Sequence, residues 1–214
     1  MKQLDVVVVG KGNAALCAAL AAREAGAAVA MLEAAPEEES GGNSRFAGGV
    51  MRFAYRTVDD LRKIADIGEE EARNTDWDSN SVEEFYDDLY RVTSYRTDPD
   101  LSETLITRSF DTMVWLRGQG ASFVPNYAAQ SAIVNGRRRF FGRFPLTVNG
   151  GGAGLVEALT RTAARKGIEI HYQTRAVSLI YDGERVRGVH AKSRGKPVQF
   201  HARAVVLACG GFEA

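Results

Sequence analysis

The sequence predicts an α/β protein with a parallel central sheet, an added β-hairpin or meander, and a helical layer at its side. Three observations lead there. The unbroken apolar run Leu4 to Val9 stops at a glycine and gives way to an alanine-rich stretch, the order of a doubly buried strand, a turn and a helix. A second set closes the chain, with a helix, a strand and two alternating runs before the apolar Ala204 to Leu207. Between the two sets, residues 57–120 carry helical rather than alternating periodicity.

In the first set, Gly10-Lys11-Gly12-Asn13-Ala14-Ala15 fits the spacing G-x-G-x-x-G/A with Ala15 in third place. Residues 14–25 read as a helix carrying Leu16 and Leu20, and Ala28 to Leu32 reads as a second strand ending in Glu33. Strand, glycine turn, helix, strand and acid fit within about thirty residues, as a Rossmann-like dinucleotide-binding unit requires. Gly10 permits the tight turn, and Gly12 has no side chain to hold a pyrophosphate away from the backbone. Asn13 and Ala14 stand at the helix N-terminus, where unpaired N–H groups and the positive dipole end face phosphate. Ala15 is small enough for the helix to lie close on the strand. Glu33, with Ala34 beside it, can accept two hydrogen bonds from a ribose diol, and its charge repels a 2′-phosphate. The motif alone does not separate NAD from FAD.

The next segment does. After an acidic loop, Pro36 to Glu39, the chain reads Ser40-Gly41-Gly42-Asn43-Ser44-Arg45-Phe46-Ala47-Gly48-Gly49. A second glycine-rich polar stretch so soon implies more backbone lying against a long ligand. Here the chain resembles the fumarate reductase/succinate dehydrogenase flavoproteins, a family that includes the 3-ketosteroid dehydrogenases. The resemblance implies a glutathione-reductase-type FAD-binding domain. It places Gly41, Gly42, Asn43 and Ser44 along the pyrophosphate region of FAD, and Ala47, Gly48 and Gly49 near the isoalloxazine ring. In the second set, Gly150 to Leu155 opens a helix running to about Lys166 and closed by Gly167, and Ile168 to Gln173 follows as a strand. Thr174-Arg175-Ala176-Val177 resembles the segment whose backbone meets the adenine, which implies contacts from Ala176 and Val177. Asp182-Gly183 parts the alternating runs Ala176–Tyr181 and Arg185–Ala191, a hairpin signal. Residues 204–207 read as a buried strand, and Ala208-Cys209-Gly210-Gly211-Phe212 resembles the family's A-[TC]-G-G-F, where the chain returns to FAD. Ala208, Cys209 and Gly210 therefore complete the expected cofactor set.

Within the family, the phrases Gly12-Asn13-Ala14-Ala15-Leu16-Cys17, Leu32-Glu33-Ala34-Ala35-Pro36 and Gly41 to Arg45 are similar to those of tricarballylate dehydrogenases, while Phe46-Ala47-Gly48-Gly49 is nearer the wider family. Succinate dehydrogenases attach FAD through a histidine in the flavin-approaching loop. Residues 40–53 contain none, so noncovalent FAD is expected. The implied reaction is oxidation or reduction of a carbon–carbon bond next to a carboxylate or carbonyl, with a small carboxylate substrate and a membrane or soluble electron acceptor in the full-length protein. An NAD(P) enzyme is disfavoured by the glycines at 41–49 and the Ala208–Phe212 ending. A noncatalytic dinucleotide-binding or electron-transfer module stays open.

The middle of the chain reads as helices at about 58–74, 81–96 and 99–117, the last with Asp98 as N-cap, Pro99 at its first position and Gly118 just beyond its end. Leu101, Leu105, Met113 and Leu116 suit its core-facing stripe, and Trp77, Phe85, Tyr86, Tyr90, Phe110 and Trp115 read as packing. Glu69 to Glu71 read as a solvated face. Arg137-Arg138-Arg139-Phe140-Phe141-Gly142-Arg143 reads first as a solvated surface loop. Its sharper reading, shared with Arg45 and Arg52, is a carboxylate- or phosphate-gripping edge.

Twenty-seven basic and 27 acidic residues balance, which gives no electrostatic reason to expect nucleic acid or an anionic membrane as partner. His171, His190 and His201 lack metal spacing, and no metal is expected. Cys17 and Cys209 sit in apolar surroundings and read as buried reduced thiols; with no signal sequence, the expected location is cytoplasmic. Oligomeric state is left open. The family's proton-transferring arginine and most substrate-binding residues lie in a capping domain after A-[TC]-G-G-F, with a further FAD segment near its C-terminus. The expectation is therefore a truncated FAD-binding domain, inactive alone, with nucleotide-binding elements at 1–56 and 145–214, a helical insertion at about 57–120 and a loop and strand segment at 121–144. Its catalytic residues are not identifiable within the chain.

Overall fold

The computed structural model describes residues 4–211. Phe212, the end of the expected cofactor-returning motif, lies outside the described residues. The chain forms two compact units, Met1–Ala47 with Gly152–Ala214, and Gly48–Gly151. Both divisions fall inside the segments 1–56 and 145–214 that the sequence assigns to nucleotide binding.

The chain begins with β1 (Leu4–Val9), α1 (Asn13–Glu24) and β2 (Val29–Leu32). It then builds the second unit from α2 (Val58–Arg62), α3 (Glu69–Asn74), β3 (Thr75–Asp76), α4 (Val82–Val92), α5 (Pro99–Gly118), β4 (Phe123–Pro125), α6 (Tyr127–Gln130), β5 (Ser131–Val134), β6 (Arg137–Phe140) and β7 (Leu146–Val148). It returns to the first unit through α7 (Gly151–Arg165), β8 (Glu169–His171), β9 (Thr174–Tyr181), β10 (Val186–Ser193) and β11 (Lys196–Leu207).

The first unit is a six-stranded sheet in the order β8-β2-β1-β11-β10-β9. Strand β1 pairs in parallel with β2 (Val7 opposite Ala30) and with β11 (Val7 opposite Val205), and β2 pairs in parallel with β8. The long β11 joins two architectures. Its first half pairs antiparallel with β10, from Lys196 opposite Ser193 to His201 opposite Gly188, and its second half pairs with β1. The expected hairpin is thus two strands of a three-stranded meander continuous with the parallel sheet. Val7, Val8 and Met31 are fully buried between the sheet's faces, as are Leu16, Leu20 and Leu159 on the helices. Each such aliphatic side chain contributes about 1.5–3 kcal/mol by leaving water. Residues 204–207 depart from the expected buried strand. Ala204 is exposed, and Leu207 is 62% exposed because the end of β11 borders a cavity. The strand expected at 168–173 is confined to Glu169–His171, and Gln173 turns the chain with a φ of 50°.

In the second unit, two small sheets (β3-β6-β5 and β4-β7) accompany the helices. The helix expected at 58–74 is two helices. The Ile67 carbonyl, which a continuous helix would give to residue 71, accepts from Arg62 Nε at 3.1 Å, and Glu71 restarts the helix by accepting the Gly68 N–H. The second helix is shorter than 81–96 because Ser94 and Tyr95 turn left-handed after Val92, at φ 53° and 58°. Helix α5 starts as read, with the Asp98 carboxylate accepting the Leu101 N–H at 3.0 Å and Pro99 at its first position. Its end and its buried stripe differ. Gly118 is its last helical residue, and the left-handed glycine is Gly120 at φ 92°. Leu101 and Leu105 are exposed, while Ser102, Ile106, Ser109, Met113 and Leu116 face inward. The two serines are buried at low cost because each hydroxyl donates to its own helix backbone, Ser102 to Asp98 and Ser109 to Ile106. The arginine triplet lies on strand β6 rather than in a loop, with Val134 opposite Arg137 and Asp76 opposite Arg139. Packing of the aromatics is as read at Phe85, which is buried, and at Trp77, which stacks on Phe140 at 4.8 Å. No helix among the described residues is long and apolar enough to cross a membrane.

Candidate functional site

Every element of the site lies in the first unit, at the carboxyl ends of its parallel strands. Strand β1 stops at Gly10, whose φ of 109° suits glycine, and an added Cβ would stand 2.4 Å from the Ala208 carbonyl oxygen. The ends of β1 and β11 can approach this closely only because residue 10 has no side chain. Gly12 then enters α1 in extended conformation, and a Cβ there would meet Ser44 Oγ at 3.3 Å. That hydroxyl accepts the Asn13 N–H at 2.9 Å, which ties the start of α1 to the turn Gly42–Phe46. The remaining N–H groups of the first helical turn have no intrahelical acceptors and can hold an anion.

Glu33 is fixed on three sides. Its N–H donates to the His171 carbonyl at 2.9 Å, its own carbonyl accepts from Thr174 at 2.8 Å, and its Oε1 accepts the Ala35 N–H at 2.8 Å. The carboxylate keeps lone pairs for a diol while its orientation is set by backbone. Beside it, burial pushes the Tyr172 phenol up to about 12, with Glu37 and Glu33 adding to the shift.

These pieces enclose a cavity of about 870 Å³, within the size range of pre-formed small-molecule and cofactor sites. Its walls include Gly10, Gly12, Asn13, Ala14, Glu33, Ala34, Gly42, Asn43, Ser44, Ala176, Val177, Ala208, Cys209 and Gly210. Sequence segments up to about 200 residues apart thus converge, in the manner expected at the carboxyl edge of an open parallel sheet. The other residues assigned from the sequence stand elsewhere. Ala15 is fully buried beneath α1, the close-packing role its size suggests. Gly41, at φ 113°, packs beside Val156, to which a Cβ would come within 3.1 Å. The Ala47 carbonyl accepts the Gly152 N–H at 2.8 Å. Gly48 and Gly49 belong to the second unit, where a Cβ on Gly49 would strike Gly151 at 2.7 Å.

Six further wall residues come from the meander and from β11: Thr174, Arg175, Ser178, Leu179, Val189 and Leu207. Alternation within β9 and β10 could have pointed to some of them, but not which face is lined. Lys11 also lines the cavity although it is only 5% exposed, and spacing gave no sign of it because it occupies an unspecified motif position. Cys209 departs from the buried thiol expected; it is exposed on the cavity wall, whereas burial pushes the partly buried Cys17 up to about 11. Both cysteines are free.

The candidate anion-gripping arginines are largely engaged within their own units. Arg52 Nη2 meets Asp88 at 2.5 Å and its guanidinium lies over Phe85, while Arg143 bridges Glu84 at 2.9 Å and Asp88 at 2.8 Å. Arg137 pairs with Asp76, Arg138 lies over Tyr127, and exposed Arg45 donates to the Glu38 carbonyl.

Comparison with known proteins agrees with this geometry. The model of a family described as FAD binding domain matches residues 5–214. A fumarate reductase (cytochrome) of Shewanella frigidimarina is 31% identical over 211 residues, 98% of this chain and 33% of the relative. The open conformation of a flavocytochrome c3 fumarate reductase superposes with TM-score 0.72 at 27% identity, covering 99% of this chain and 34% of that one. A 3-ketosteroid-Δ4-(5α)-dehydrogenase of Rhodococcus jostii, in complex with 4-androstene-3,17-dione, superposes with TM-score 0.72 at 26% identity, covering 98% and 46%. The chain therefore spans about a third of the length of the curated relative it matches.

Proposed function

Because the chain belongs to the FAD-binding domain family of the fumarate reductase/succinate dehydrogenase flavoproteins, we propose that it is the cofactor-holding part of a flavin-dependent oxidoreductase that acts on a carbon–carbon bond beside a carboxylate. The carrying observation is the cavity itself, where three glycine-bearing segments and the oriented Glu33 carboxylate meet. Its residues fit FAD: a tight glycine turn at Gly10 and Gly12 on the cavity wall, helix N–H groups for a pyrophosphate, and an acid for the ribose diol. In this reading Ser44 holds the 42–46 turn against the start of α1. Ala176 and Val177 flank the adenine, and Ala208 to Gly210 flank the flavin end.

Bound FAD supplies two-electron hydride chemistry. The chain's residues bind and orient it and help to exclude water from it. The substrate in the whole protein is a small carboxylate, with a membrane or soluble electron acceptor. Resemblance to the fumarate reductases supports a fumarate/succinate-type reaction. The phrases around Asn13, Glu33 and Gly42 support tricarballylate as the saturated acid. The proposal includes noncovalent attachment of FAD and a cytoplasmic location, in keeping with two free thiols.

Purified protein should show flavin absorbance near about 450 nm that leaves with the supernatant on acid precipitation. Flavin retained in the pellet overturns noncovalent attachment, and a colourless protein that takes up no added FAD overturns the reading. Turnover of tricarballylate, succinate, fumarate and 3-ketosteroids by the full-length protein decides the substrate; activity on none of them overturns the oxidoreductase assignment.

A further inference from the structure

Lys11 is the most unusual residue of the cavity wall. It is 5% exposed, and its ammonium makes no hydrogen bond or ion pair among the described residues. Its described neighbour is the face of the Tyr172 ring, 5.7 Å from Nζ. Burial holds its pKa below the usual lysine range, and the charges of Glu33 and Glu37 act against that shift. The side chain is thus packed away from water along most of its length, while its charged end has no hydrogen-bonding partner among the described residues and stays free to take one from a ligand. Its position suggests the missing partner. Lys11 lines the cavity together with the phosphate-facing start of α1 and the ribose-facing Glu33.

From this placement, and resting on the FAD reading of the cavity, we infer that Lys11 is a cofactor contact: its ammonium donates to the adenosine ribose oxygens of FAD, whose hydroxyl protons go to Glu33. The chemistry is complementary. A ribose hydroxyl has one proton to give and lone pairs to receive; a carboxylate takes the first and a lysine, which has only donors, fills the second. Lys11 also offsets the negative charge that Glu33 and Glu37 would otherwise present to a nearby pyrophosphate. A glutamate alone recognises a diol; a glutamate with a buried lysine beside it recognises the diol at lower electrostatic cost.

The test uses Lys11→Met and Lys11→Gln in the full chain, with binding of FAD, ADP and 2′,3′-dideoxy-ADP measured by titration calorimetry. Lys11→Met is expected to raise the Kd of FAD and ADP about tenfold, the worth of one charge-assisted hydrogen bond. The Kd of dideoxy-ADP should stay within about twofold, since that ligand lacks the oxygens concerned. Lys11→Gln, which keeps neutral N–H donors but not the charge, should fall between. The thermal midpoint of the cofactor-free variants should stay close to the wild-type value, which separates a lost ligand contact from a folding defect. Unchanged FAD and ADP affinity, or an equal loss for dideoxy-ADP, overturns the inference while leaving FAD binding intact. Should Lys11→Met fold poorly, Lys11→Gln gives the same comparison. Wild-type protein that binds neither FAD nor ADP overturns the cavity reading, and this contact with it.

Discussion

Replacing Gly152 with alanine tests how the turn beside the cavity is held. A Cβ at that position would lie 1.9 Å from the Ser44 carbonyl oxygen and 2.8 Å from that of Ala47. Ordinary contact between carbon and a carbonyl oxygen begins near about 3.3 Å, so the overlap with Ser44 is about 1.4 Å. Both obstacles are backbone atoms, so no rotamer change relieves it; the turn Gly42–Phe46 or the start of α7 must move. Overpacking of this kind costs about 1–3 kcal/mol or more. Losing the Gly152 N–H to Ala47 carbonyl bond adds about 1 kcal/mol, and alanine's helix preference returns about 1 kcal/mol. The net loss is about 1–3 kcal/mol or more, which lowers the melting midpoint by about 2–12 °C for a chain of this size. Displacing Ser44 also removes the acceptor of the Asn13 N–H, so FAD affinity should fall about fivefold. Circular-dichroism melting and flavin-fluorescence titration measure both. A Gly152→Ala protein that melts within about 1 °C of wild type and binds FAD normally refutes the steric reasoning, since the overlap would require a larger change.

Three other outcomes are expected. Ser44→Ala should cost about 1 kcal/mol of stability in chemical denaturation and a few-fold in FAD affinity, because the Asn13 N–H loses its 2.9 Å acceptor; no change in either would remove the hydroxyl from the account. In the second unit, Arg52 and then Arg91 hold the Asp88 carboxyl well below the usual range. A depressed folded-state pKa stabilises above the unfolded value of about 4 and is lost as pH falls through the folded value. Asp88→Asn should therefore lower stability by about 1–2 kcal/mol at neutral pH, with the difference from wild type shrinking below about pH 4 in urea titrations; a constant difference down to pH 2 contradicts the ion-pair origin. Last, a thiol reagent at pH 8 should find one fast cysteine, Cys209, slowed by FAD. Burial holds Cys17 near 11, which leaves about one thousandth of it as thiolate at that pH. A fast phase surviving in Cys209→Ser assigns reactivity to the wrong residue.

Much of the first unit was legible because its signals are local. Leu4 to Val9 is continuously apolar since β1 is covered on both faces, and Gly10, Gly12 and Ala15 mark where chain must turn, where a ligand passes and where a helix packs close. The helical insertion was legible in its caps but less so in its faces. Asp98 and Pro99 announce α5, yet its buried stripe runs through Ser102 and Ser109, whose hydroxyls are satisfied within the helix and so tolerate burial that polarity alone argues against. The break between α2 and α3 was hidden too, because it depends on the Arg62 side chain replacing a backbone donor at the Ile67 carbonyl.

By itself the sequence determined the α/β class, the order of strand, glycine turn and acid, and, through its resemblance, FAD as the cofactor. Those properties follow from periodicity and from residues that chain geometry demands within one or two turns. Which residues share the cavity wall was decided only by the tertiary structure. It routes the second half of β11 alongside β1, so that Ala208 meets Gly10, and it uses Gly152 for the passage of a turn rather than for a ligand. It also left Cys209 open and buried Lys11 beside Glu33. Burial and charge environment arise from segments distant along the chain, and no local pattern carries them.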